Sequence, residues 1–165
     1  MAAGSTYTPI ATTTLGSAQA TVTFSSISGS YTDLVLIIGG KNASSDQGIV
    51  TQVGNGSIDT GSNYSTTYLI GDGTNATSGR ASSATSIIAG RMDNVASTSI
   101  INYMNYSNTT TYKTVLGRGN DGALVIQHVG LWRNTAAINT INVFNLSSVN
   151  FAAGTVLTLY GIAAA

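Results

Sequence analysis

The chain has 165 residues, a formal net charge of zero and only 7% charged residues, against about 25% in an ordinary soluble domain. Its polar side chains are dominated by Ser, Thr and Asn, with six Asp, no Glu, no Cys and a single His. That composition excludes a disulfide framework, a zinc knuckle and thiol catalysis, and it lacks the basic footprint of a nucleic-acid binder.

β-Branched and aromatic residues collect in short runs cut by Gly, Asn, Asp and Ser. In chain order the predicted strands are 8–15, 20–26, 34–39, 49–53, 64–70, 85–89, 99–106, 111–118, 124–132, 138–146 and 155–162. A helical reading fails, because Glu is missing and Thr, Asn and Gly are poor helix formers. Within the last strand, Val156, Thr158, Tyr160 and Ile162 share one face, and Leu157, Leu159 and Gly161 share the other. The runs Leu34-Val35-Leu36-Ile37-Ile38 and Leu124-Val125-Ile126 are apolar on both faces and require cover on both. One cover is an opposing sheet; the other is expected to be a neighbouring subunit.

Residues 106–111 read as a hairpin connection, and Gly119-Asn120-Asp121-Gly122 as a tight turn ahead of the next strand. The section 41–84 is richest in Gly, Ser and Asn, and long contact-bearing loops are expected there. The fold class that follows is all-β: one antiparallel β-sandwich domain over 1–165, jelly-roll-like, with an N-terminal arm at about 1–10. No segment approaches the ~18 consecutive apolar residues of a membrane span, so no membrane partner is expected. The N-terminus lacks the basic start and apolar middle of a secretory signal, which points to synthesis in a cytoplasm without export.

Few residues offer chemistry. His128 could serve a Ser–His–Asp triad, but no Gly-x-Ser-x-Gly elbow accompanies it, and a structural role is expected. Of Asp33, Asp46, Asp59, Asp72, Asp93 and Asp121, the last three flank Gly or Asn, where Asp forms turns, and nothing selects a catalytic pair. The segments 71–75 and 119–122 loosely resemble calcium loops but have no closing Glu. No enzyme, metal or cofactor is expected. Tyr64 and Tyr68 should share a strand face, while Tyr103 and Tyr106 should oppose one another. Exposed Tyr among Ser and Asn would make an adaptable binding surface; cross-strand packing is the plainer role. Trp132 beside Arg133 reads as a core or interface anchor.

Three early blocks, Thr6 to Ser17, Val22 to Ile27 and Tyr31 to Leu36, resemble small virion proteins of tailed bacteriophages. The later blocks Met104 to Leu116, Gly130 to Ile138 and Phe151 to Ile162 resemble the same group. The likeness implies a virion structural protein, most directly a capsid decoration or cement protein. Such a protein is a jelly-roll homotrimer, binds the major capsid protein and sits on the outer capsid surface. On that reading Tyr7, Pro9 and Ile10 contact the capsid, together with the loops of 41–84, and Trp132 and Arg133 form the subunit interface. The alternative placement is a tail fibre or tail-tip component that binds a host receptor or glycan. A depolymerase would instead need two carboxylates converging in a cleft.

Overall fold

The computed structural model describes residues 6–163. Its strands are β1 (Tyr7–Thr14), β2 (Thr21–Phe24), β3 (Asp33–Gly40), β4 (Gln47–Asn55), β5 (Ser57–Ile58), β6 (Tyr64–Gly71), β7 (Ala76–Ala84), β8 (Ile87–Met92), β9 (Ser97–Met104), β10 (Lys113–Asn120), β11 (Val125–Trp132), β12 (Thr140–Asn145) and β13 (Val156–Ile162). One 3-10 turn, Leu146–Ser148, follows β12, and no α-helix occurs among the described residues.

All pairings between strands are antiparallel, and they build two sheets. The larger runs β1-β13-β3-β9-β10-β11-β6-β7; the smaller runs β2-β12-β4, with β5 and β8 both bound to the far edge of β4. Removing β5, β6, β7, β10 and β11 leaves eight strands. In chain order these lie first-eighth-third-sixth in one sheet and second-seventh-fourth-fifth in the other. That is the double Greek key of a jelly roll, as expected. The remaining long strands come from two insertions, β5–β7 between β4 and β8 and β10–β11 between β9 and β12. They extend only one of the two sheets.

Alternation places the core. Leu34, Leu36 and Ile38 of β3, Ile101 and Tyr103 of β9, and Leu157 and Leu159 of β13 are all fully buried on the inner face. They pack against Val22, Phe24, Ile49, Val53, Ile141 and Val143 of the smaller sheet. The Tyr103 hydroxyl stands 2.9 Å from Thr51 Oγ1 across the gap, so the phenol is buried with its polar end paired. β8 covers the inner face of the extension. A Cβ on Gly117 of β10 would meet the Ala89 carbonyl of β8, so glycine is what allows that approach.

Three expectations need correcting. Segment 41–84 is strand-rich, not loop-rich: it holds β4, β6 and β7, whose backbones are satisfied by ladder hydrogen bonds, in β7 although its side chains are small and mostly polar. Tyr103 and Tyr106 do not oppose one another. β9 ends at Met104, Asn105 turns at φ 49°, and both rings enter the core. The notional arm is a paired strand from residue 7 onward. β1 pairs with β13, with a bulge between Pro9 and Ala11 that lets both Ile10 and Ala11 touch the core. Residues 1–5 lie outside the described residues.

Candidate interaction surface

The inner face of the large sheet is covered; its outer face is open. The register gives two adjacent cross-strand rows on that outer side. One runs Tyr160, Val35, Asn102, Leu116, Val129 and Thr67. The next runs Thr158, Ile37, Ile100, Arg118, Gln127 and Leu69. Val125 is 72% exposed, Leu69 61% and Val129 47%, so the apolar content faces outward. The both-sided apolar run of β3 does place Val35 and Ile37 on this face, where Val35 is buried and Ile37 half-buried. With strands ~4.8 Å apart and outward side chains every ~6.7 Å, the face spans roughly 34 by 20 Å. That is close to the ~800 Å² per partner of a standard protein–protein interface.

Two hollows indent the part of this face made by the insertions. One, about 690 Å³, is walled by Leu69, Ile100, Val125, Gln127 and Arg118. The other, about 280 Å³, is walled by Thr67, Val129, Leu131 and Arg80. At the opposite end Tyr7, 54% exposed, meets Tyr160 edge-on at 5.9 Å.

A separate cavity of about 160 Å³ lies between the sheets, walled by Tyr68, Ile88, Arg91, Ile126, His128 and Leu146. His128 is 4% exposed and neither ring nitrogen has a partner among the described residues. Burial first, and the nearby Arg91 charge second, depress its pKa to about 4, so the ring is neutral at pH 7. With no Ser or Asp bonded to it, His128 does not form a triad. Arg91 holds two carboxylates, Asp121 through Nε at 2.6 Å and Asp46 through Nη2. Asp121 also accepts from the Ala123 and Leu124 amides, which shapes the turn before β11. Two converging carboxylates therefore exist, but a guanidinium lies on both and neither is free to act as acid and base across a substrate.

The loosely calcium-like loops are turns as well: Asp72 accepts from the Thr74 and Asn75 amides, and this hydrogen bonding lowers its pKa. Asn42 and Asn145, both in Asn-x-Ser/Thr triplets, are buried and bonded to each other at 2.8 Å.

The residues singled out from sequence separate in space. Tyr7, Pro9 and Ile10 share the edge strand β1: Tyr7 and Pro9 are exposed, and Ile10 is half-buried. Trp132, expected at a subunit interface, is 1% exposed and anchors its own core; its Nε1 donates to Asp59 Oδ2 at 2.8 Å. Burial raises the Asp59 pKa, but hydrogen bonds from Trp132, Asn63 and Gly61 outweigh it and leave the group lowered. Arg133 is occupied by the Ser62 and Tyr64 carbonyls and the Ser65 hydroxyl. Tyr64 and Tyr68 do share the inner face of β6, Tyr64 wholly buried with its phenol pushed up to about 12 by desolvation. What sequence reading missed is the pair Arg80 and Arg118, on one face only once the register is known.

No protein family matches the chain, and no curated protein matches it. Among solved structures it is weakly similar to a protein of unknown function from Shewanella oneidensis MR-1, at 8% identity and a TM-score of 0.24. That match covers 100% of this chain and 82% of the other.

Proposed function

We propose that the chain is a structural protein of a tailed-phage virion, most directly a capsid decoration protein that binds and stabilises the outer shell. The observation that carries this reading is the open outer face of the large sheet, interface-sized and largely apolar and neutral, with Arg80 and Arg118 at one end. The sequence blocks that resemble phage virion proteins supply the setting. A protein that binds only the assembled shell stabilises it by mass action, and needs surface, not catalytic groups, to do so. The major capsid protein is the partner on this reading, with further copies of the chain beside it.

The test is the position of the protein in intact particles, by reconstruction or gold labelling. Density repeated over the shell supports the decoration role. Density confined to the tail would replace it with the receptor-binding alternative, and absence from purified particles would end both.

A further inference from the structure

We propose that the outer face of β10, β11, β6 and β7 is the docking surface, and that its occupant is a polypeptide presenting apolar side chains together with carboxylates. This rests on the decoration reading and names the surface and the chemistry of the partner.

The argument starts from where the cations are. Arg91 is spent on Asp46 and Asp121, Arg133 on carbonyls and a hydroxyl, and the buried Lys113 on the Thr111 and Thr135 carbonyls. Arg80 and Arg118 are exposed and make no ion pair or side-chain hydrogen bond among the described residues. Both stand on the outer face of the insertion half, one in each hollow. Strand spacing sets them roughly 15 Å apart. No aspartate stands on the strands of that half. Asp33 lies on β3 and accepts from the Asn105 amide; Asp72 and Asp121 lie in turns, bonded to backbone amides; Asp46, Asp59 and Asp93 lie off the face.

Leu69, Ile100 and Val125 wall the hollow of Arg118, and Val129 and Leu131 stand beside Arg80 together with the hydroxyls of Ser65, Thr67 and Thr114. A glycan site would instead offer aromatic platforms and amides, and here the only amide wall is Gln127 and no aromatic ring lines either hollow. Aliphatic walls with unpaired guanidinium groups complement apolar side chains flanked by Asp or Glu. Sequence position agrees, since all four strands belong to insertions that the jelly roll itself does not need.

The experiment uses the full-length chain and shells of the encoding phage stripped of this protein, with binding followed by co-sedimentation. Arg80→Gln and Arg118→Gln should each weaken binding by about tenfold, and the double R80E/R118E should abolish it. Lys41→Gln, a cation elsewhere on the surface, should bind as wild type does. Both arginines are exposed, so the variants should keep the wild-type melting temperature. Wild-type binding by R80E/R118E would overturn the surface assignment while leaving the decoration reading intact. Failure of the unaltered chain to bind stripped shells would overturn both. Binding to an immobilised polyuronate, with none to shells, would make the occupant an acidic glycan and refute the polypeptide.

Discussion

Acid should destabilise this protein through one residue. His128 is the chain's only histidine, and its pKa falls from 6.5 to about 4 on folding. The unfolded chain therefore takes up a proton as pH drops through 6.5, whereas the folded chain takes it up only near 4. Between those values the unfolded state binds more protons, so stability falls with falling pH across that window and levels off below it. The full depression corresponds to about 3 kcal/mol at 1.36 kcal/mol per pKa unit. The carboxylates Asp59 and Asp72 are held below their ordinary value of 3.8, so their own losses set in from about pH 5 downward and touch only the acid end of that window. Urea unfolding at intervals from pH 7.5 to 4.0 measures the slope directly. His128→Gln removes the titrating group and should flatten the curve in that window, whatever it does to stability at pH 7. An equal slope in both proteins would refute the assignment and place the acid sensitivity elsewhere.

One further prediction concerns the contact between β8 and the extension. A Cβ at Gly117 would fall 1.8 Å from the Ala89 carbonyl oxygen, a backbone atom that cannot step aside. Gly117→Ala should cost about 3 kcal/mol or more, read as a fall in melting temperature. At Gly130 the obstacle is the Cγ2 methyl of the buried Ile87, a side-chain atom that can give a little where a backbone carbonyl cannot, so Gly130→Ala should cost less, about 1–3 kcal/mol. Equal losses would mean that the sheets are free to move apart.

How much of this was legible in the sequence depends on side-chain size. Strands such as β3 and β13 announce themselves, because burying a face needs Leu, Ile and Val at fixed alternation. β7 reads Ala76-Thr77-Ser78-Gly79-Arg80-Ala81-Ser82-Ser83-Ala84 and buries almost nothing. It exists because β6 offers it a hydrogen-bonding edge, and its Gly79 lies under the Tyr68 ring, where a Cβ would collide. A glycine facing an aromatic across strands is a recognisable device, but only after the pairing is known. The same holds for Arg80 and Arg118, which are 38 residues apart in sequence and share a face through the register of β6, β10 and β11. Trp132 shows the limit from the other side: a large aromatic beside an arginine is equally consistent with core and interface, and burial decides it.

The extension raises a question of support, because four strands added to one sheet of a sandwich gain no matching strands opposite. β8 covers the inner face of β10, β11 and β6, the Tyr64 hydroxyl of β6 also donates to the Val53 carbonyl of β4 at 2.9 Å, and the Arg91 cluster fastens β8 there. Arg91 sits on β8, Asp121 in the β10–β11 turn and Asp46 beside β4, so one guanidinium links the extension to the smaller sheet of the jelly roll. Asp121 is 3% exposed, so removing Arg91 strands a buried carboxylate. Arg91→Leu should therefore cost about 3–5 kcal/mol, as breaking a buried pair from one side does. Arg91→Leu combined with Asp121→Asn should recover part of that loss, since the second change removes the stranded charge while an amide oxygen can still accept from Ala123 and Leu124. Hydrogen exchange locates the damage: amides of β10, β11, β6 and β7 should lose protection in Arg91→Leu before those of β3 and β13. Uniform loss across all strands would mean that extension and jelly roll are one cooperative unit, and that the Arg91 cluster is not what fastens one to the other.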